Sequence, residues 1–91
     1  MKNINWRIVL SNIKEAREEL EGLESQIASN KKPSEVRLEL SLRHAYHHLN
    51  TAWNARHSET AQYRNLTEHD FKAFGTFPPG FDDLETYGDD S

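Results

Sequence analysis

The chain has 91 residues, of which 35% are hydrophobic and 29% charged. Such a chain holds one domain at most and has little room for both a core and a deep substrate pocket. It contains no cysteine, which excludes a disulfide framework, a thiolate zinc site and a cysteine nucleophile. Because the sequence shows neither a signal peptide nor an apolar run of about 18 residues, we expect a soluble cytoplasmic protein without membrane contact.

The net charge of −4 is unevenly distributed along the chain. Residues 73–91 carry five carboxylates and no Lys or Arg, which leaves residues 1–72 with a net charge of +1. Binding to nucleic acid requires a net basic face, so this distribution argues against a nucleic-acid partner.

The first predicted helix carries an a/d repeat that is typical of a helix packed along a seam. Its apolar residues alternate at spacings of three and four: Trp6, Val9, Ile13, Ala16, Leu20, Leu23 and Ile27. The stretch SNKKPS, residues 29–34, then interrupts the pattern. Within it, Asn30 suits the left-handed backbone that closes a helix, and Ser34 suits the cap of a following helix.

The second predicted helix runs from about Ser34 to about Tyr63. It repeats the seam pattern, and two aromatic residues widen the apolar stripe: Leu38, Leu42, Ala45, Tyr46, Leu49, Ala52 and Trp53. A short connection between two long helices makes them antiparallel neighbours, so the sequence predicts a helical hairpin.

A short third helix is predicted after Thr67, which is placed to cap it, with Leu66 packing on Phe71 as a hydrophobic staple. Gly75 ends this helix. We therefore divide the chain into a helical hairpin domain with the short third helix, residues 1–73, and an aromatic, acidic C-terminal segment, residues 74–91.

The predicted fold is all-α. Two helices with a narrow seam leave the flanks of their apolar stripes uncovered, and the usual remedy is dimerisation into a four-helix bundle. We therefore expect a homodimer, and a hetero-complex through the same seam stays open. The alternative is coverage within one chain by the aromatic residues Phe71, Phe74, Phe77 and Phe81.

Three histidines, His44, His47 and His48, are the sharpest candidates for chemistry. His44 and His48 lie one helical turn apart, a spacing that chelates zinc or nickel. On a helical wheel, however, all three point away from the apolar stripe, which favours an ordinary solvated face. A metal site that uses these histidines is the first alternative, and catalysis is the second.

A second candidate site consists of Tyr46, Asn50, Trp53 and Arg56, which border the stripe on helix two. A tryptophan beside Arg and Asn suits the stacking and hydrogen bonding of a planar ligand in a cleft between protomers. Alternatively, both residues have packing roles: Trp53 lies at the edge of the core, and the aliphatic part of the Arg56 side chain covers the end of the seam. Asn50 is also placed to fix the register of an interface.

The sequence contains no nucleophile elbow, phosphate-binding loop or dinucleotide fingerprint. We therefore expect a non-enzymatic interaction or accessory protein that requires no cofactor. The seam would carry self-association. The helix-two face from Arg37 through Arg43 to His47, together with the segment FGTFPPGF, would bind a protein partner.

Overall fold

The computed structural model describes residues 3–65 and 68–82, which form four α-helices and no strand. These are α1 (Trp6–Ala28), α2 (Glu35–Asn54), α3 (Thr60–Arg64) and α4 (Glu68–Phe74). The two long helices, α1 and α2, pack closely and antiparallel, since the start of α1 meets the end of α2. The predicted all-α helical hairpin is confirmed. None of the helices in the described ranges is long and apolar enough to cross a bilayer.

Both long helices begin with a side chain that caps a free backbone amide. The side-chain oxygen of Asn5 accepts a hydrogen bond from the Ile8 N–H at 3.3 Å, at the start of α1. The Ser34 hydroxyl accepts from the Arg37 N–H at 3.1 Å, at the start of α2. The predicted cap at Ser34 is therefore confirmed.

The end of α1 differs from the expectation at Asn30. In the described part of the chain, no residue other than glycine has a positive φ, so the predicted left-handed backbone at Asn30 is wrong. Instead, the Ser29 hydroxyl donates to the Gln26 carbonyl at 2.7 Å, and the Lys32 ammonium donates to the Ile27 carbonyl. These side chains satisfy carbonyl groups that a left-handed residue would otherwise help to pair.

The second helix is shorter than predicted. It ends at Asn54 rather than near Tyr63, and the chain turns before it resumes a helix as α3. The Arg56 carbonyl accepts a hydrogen bond from the Asn5 N–H at 2.7 Å, and the Ser58 carbonyl accepts from the Asn5 side chain at 2.9 Å. These bonds to the start of α1 replace helical hydrogen bonds that a longer α2 would make.

The interface between α1 and α2 is thin and rich in small side chains. Its buried apolar residues are Ile8, Ala16, Leu23, Ala45, Ala52 and Ala55. Of these six, Ile8 and Leu23 alone have large side chains, while Asn12 and Ser41 are buried beside them. Hydrophobic stabilisation scales with the apolar area removed from water. The pairing of α1 with α2 alone therefore contributes little of the stabilisation that the large apolar side chains of the chain could provide.

The helix pairing buries only part of the predicted seam. Most of the α1 seam faces outward, with exposed fractions of 67% for Trp6, 46% for Ile13 and 41% for Leu20. Within one chain the predicted seam is thus only partly covered, as expected for two helices whose apolar stripes have exposed flanks. The seam residues that do lie between the helices are Ala16 and Leu23 of α1 and Ala45 and Ala52 of α2, and the three alanines permit a close approach.

The C-terminal part of the described chain lies along another side of α2. The Asn50 and Asn54 side-chain amides both donate to the Thr76 carbonyl, at 3.1 and 2.6 Å. The Phe81 ring lies 5.2 Å from that of Trp53, and Pro78 is buried. Residues 75–82 are thus attached to the end of the hairpin by asparagine hydrogen bonds and an aromatic contact.

The predicted short helix is present as α4, which ends at Phe74 immediately before Gly75. The expected cap at Thr67 and the staple at Leu66 lie outside the described residues, as does the acidic end, 83–91. Coverage of the hairpin by the aromatic residues is partial, because Phe71, Phe77 and Phe81 stay about half exposed.

Candidate functional site

His44 and His48 face each other on one edge of the hairpin. Their Nε2 atoms are 3.3 Å apart, one turn apart on α2. Each ring is held through Nδ1 by a side chain of α1: His44 by the Glu19 carboxylate at 3.0 Å, and His48 by the Asn12 Oδ1 at 2.9 Å. The four side chains form a polar cluster across the helix pairing, which we call the histidine pair and its two α1 partners.

This placement corrects the helical-wheel prediction for two of the three histidines. His44 and His48 do not point away from the helix pairing but contact α1, because the pairing is rotated toward them. His47 turns elsewhere, and its ring lies 5.5 Å from that of Phe71 on α4. In the described ranges, no group of three or more His, Cys, Asp or Glu side chains is arranged to hold a metal ion.

Asn12 joins three elements of the fold. It is 2% exposed, and its amide nitrogen donates to the Ile8 carbonyl at 3.0 Å and to the Tyr63 hydroxyl of α3 at 3.1 Å. Its amide oxygen lies 2.9 Å from the Nδ1 of His48 and 3.4 Å from the Tyr63 hydroxyl. Because both donors of the amide are thereby used, the ring nitrogen of His48 must donate to this oxygen.

The electrostatics of the cluster keep its members in different charge states. The hydrogen bond from His44 holds the pKa of the Glu19 carboxyl below its ordinary value. Burial lowers the pKa of His48, and the nearby His44 and His47 lower it further through charge repulsion. Glu15 and Glu19 oppose this second effect. At neutral pH the cluster therefore contains an anionic Glu19 and a neutral His48.

The lowered pKa of His48 makes stability depend on pH. In the folded chain His48 binds a proton less readily than in the unfolded chain, whose histidine pKa is about 6.5. Stability should therefore be highest above about pH 6.5 and fall as the pH drops below it. In the presence of a chelator, the urea midpoint should be lower at about pH 5.5 than at about pH 7.5.

His48→Gln should reduce this pH dependence, whereas His57→Gln should leave it unchanged. His57 is exposed and its ring faces the Asn3 carbonyl, so it provides a matched histidine outside the cluster. An equal change of midpoint in the wild type and in His48→Gln would contradict the assignment.

The second predicted site is only partly assembled. The Arg56 guanidinium lies 3.6 Å above the centre of the Trp53 ring and donates to the Trp53 carbonyl at 2.7 Å. Asn50 is buried, and its amide is bound to the Thr76 carbonyl, while Tyr46 stays half exposed. The single chain thus brings Trp53 and Arg56 together, while the predicted ligand cleft between two protomers stays a prediction.

Trp53 and Arg56 instead border one of two apolar grooves. The larger groove, of about 740 Å³, lies along α1 and reaches α2 at Leu49; its apolar lining includes Ile13, Ala16, Leu20, Leu23, Ile27 and Leu49. The other, of about 360 Å³, is lined by Ile4, Trp6, Val9, Ile13, Leu49, Ala52, Trp53, Arg56 and Phe81. Since Ile13 and Leu49 line both grooves, the two form one continuous surface.

We call this surface the apolar face and define it by six side chains that are 41–67% exposed: Trp6, Ile13, Leu20, Ile27, Leu49 and Trp53. Five of the six belong to the predicted heptad positions, and Trp53 belongs to the stripe that widens them on α2. The sequence analysis therefore identified these residues, as members of the seam and stripe expected to carry self-association.

Sequence reasoning missed the α1 partners of the histidines, Asn12 and Glu19. A signal for them exists in the antiparallel register. In a hairpin with a short connection, residues roughly equidistant from its middle lie side by side, and Asn12 and His48 are about equally far from Lys31. Glu19 and His44 are related in the same way.

Comparison with known proteins adds no assignment, because no protein-family model, curated protein or solved structure matches this chain. The function proposed below therefore depends on the geometry of the chain itself.

Proposed function

We propose that this protein acts without catalysis, as a small helical interaction protein that associates with a second copy of itself through the apolar face. The observation that carries this proposal is the position of the large apolar side chains. Six of them form the apolar face, one continuous outer surface, whereas the buried interface between α1 and α2 is mostly alanine and polar residues. Contiguous exposed apolar surfaces of this kind mark protein interaction sites.

The heptad pattern of the apolar face favours a helical partner. An a/d repeat sustained over three heptads packs knobs into holes against helices of similar length and pattern. Apart from α1 and α2, the helices in the described ranges have seven residues or fewer. A second copy supplies two helices of the required length, and the product is a four-helix bundle.

The size and charge of the face also suit a second copy. With a rise of about 1.5 Å per residue, α1 is about 35 Å long, and a face about 20 Å wide covers about 700 Å². Stable interfaces bury about 800 Å² per partner. The charged residues at the border of the larger groove are Arg17, Glu21 and Glu24, of which Arg17 and Glu21 pair with each other at 3.5 Å, so the border carries little net charge against a symmetry-related copy.

In this proposal the dimer also binds a further protein partner. The α2 face from Arg37 through Arg43 to His47 and the aromatic segment FGTFPPGF are the surfaces that we propose for that contact. The exposed rings of Phe71 and Phe77 and the exposed side chains of Val36 and Leu40 support this assignment.

Sedimentation equilibrium tests the self-association directly. We expect a species of twice the 10.6 kDa chain mass, in concentration-dependent exchange with the monomer. A single species of 10.6 kDa at all concentrations up to about 1 mM would contradict the proposal, because such a chain has a dimer Kd above that concentration.

A further inference from the structure

The histidine pair presents two nitrogen lone pairs to each other. Glu19 is ionised and can only accept a hydrogen bond, so His44 must donate to it through Nδ1. Asn12 likewise offers its oxygen to the Nδ1 of His48. A neutral imidazole that donates through Nδ1 carries its lone pair on Nε2, and these are the two atoms that lie 3.3 Å apart.

With a second proton, His44 would donate to His48 in an Nε2–H···Nε2 hydrogen bond; without that proton, the two lone pairs are close enough to coordinate one cation placed off the line that joins them. We infer that the Nε2 atoms of His44 and His48 form a two-histidine binding site for a divalent transition-metal ion of the zinc, nickel and copper class. Two nitrogens bound to zinc at about 2.0–2.1 Å and at the tetrahedral angle are about 3.4 Å apart. The observed separation of 3.3 Å fits that geometry without movement of the helix.

The α1 partners complete the arrangement that metal-binding histidines ordinarily have. Such a histidine donates its other ring N–H to a carboxylate or carbonyl oxygen, which fixes the tautomer and orients the ring. Glu19 does this for His44, and the amide oxygen of Asn12 does it for His48. The orienting groups come from a different helix than the ligands, so the site depends on the folded hairpin.

The described residues supply two ligands and no third His, Cys, Asp or Glu in position. Two imidazoles alone bind zinc with a lower affinity than the four protein ligands of a closed structural site. Neither histidine lines the two grooves of the apolar face, so metal binding is independent of the proposed self-association.

Titration of the full chain with Zn²⁺ alone, at about pH 7.5 where unperturbed imidazoles are mostly neutral, tests the site. Calorimetry should show one ion bound per chain. Long-range ¹H–¹⁵N spectra of the imidazoles should show the Nε2 signals of His44 and His48 shifting together, while the signals of His57 stay in place.

Substitutions separate this site from adventitious binding. His44→Ala, at a half-exposed position, should raise the Kd for Zn²⁺ at least tenfold, and His57→Ala should not change it. Glu19→Gln should raise the Kd about tenfold or more, whereas Glu18→Gln, with the same change of charge one residue away, should not. Circular dichroism confirms that each variant is folded.

Two results would overturn the inference. One is a Kd for Zn²⁺ that is the same in the wild type and in a folded His44→Ala variant. The other is a titration in which the Nε2 signals of His44 and His48 do not move. The titration is repeated with Leu20→Glu/Leu49→Glu, a variant designed not to self-associate. Zinc binding by this variant would show that the metal site does not depend on the proposed dimer.

Discussion

Replacing Leu20 and Leu49 together with glutamate should raise the dimer Kd at least a hundredfold. Both side chains line the larger groove, one on each long helix, and both are exposed in the single chain. In a dimer that buries the apolar face, each carboxylate would lose its hydration without gaining a partner. A combined penalty of about 3 kcal/mol or more corresponds to that change in Kd.

Sedimentation equilibrium measures this effect, and circular dichroism shows whether the helices persist. The matched control is Val36→Glu/Leu40→Glu, which places two carboxylates at exposed apolar positions of α2 outside both grooves. We expect the control to dimerise like the wild type. If Leu20→Glu/Leu49→Glu also retained the wild-type Kd, the apolar face would not be the dimer interface.

Asn12→Ala should lower the free energy of unfolding by about 1–3 kcal/mol. The substitution removes the acceptor of His48 and the donor to the Tyr63 hydroxyl, and it leaves these polar groups without their partner inside the fold. Loss of a buried partner costs the desolvation of the group left behind, which exceeds the net value of an average hydrogen bond.

Urea denaturation in the Leu20→Glu/Leu49→Glu background measures this change without a contribution from association. Ser11→Ala is the control, since the neighbouring Ser11 is exposed and should change stability little. The Tyr63→Phe variant completes a double-mutant cycle and isolates the contact between α1 and α3. A loss below about 0.5 kcal/mol for Asn12→Ala would mean that these hydrogen bonds do not hold the helix pairing.

Part of the candidate site could be predicted from the sequence. The i,i+4 spacing of His44 and His48 is enough to place two imidazoles side by side on any helix, and the structure has them in ring contact. Their partners Asn12 and Glu19 are distant in sequence, and their identity depends on the rotation of α1 about its own axis. That rotation determines which residues of α1 contact α2, and no local sequence pattern indicates it.

The four residues of the predicted ligand cleft also show that sequence patterns identify local contacts better than contacts between distant residues. Trp53 and Arg56 meet because they are three residues apart at the end of one helix. Asn50 was expected at an interface, and its burial agrees with that, but its partner is the Thr76 carbonyl of the same chain. The asparagine at position 50 indicated that a polar contact would form. The path of residues 75–82 determined that its partner is the Thr76 carbonyl.

The sequence by itself determined the two long helices, their antiparallel pairing, the start of α2 at its Ser34 cap and the stripe of large apolar residues. These follow from short-range chemistry and from the 3.6-residue period of the helix. The tertiary structure alone decided where α2 ends and which side of each helix the other one covers. A helical period gives the angular position of a stripe but does not say what covers it. Here small and polar side chains such as Ala16, Ala45 and Asn12 fill the space between the helices, and the large apolar stripe stays outside.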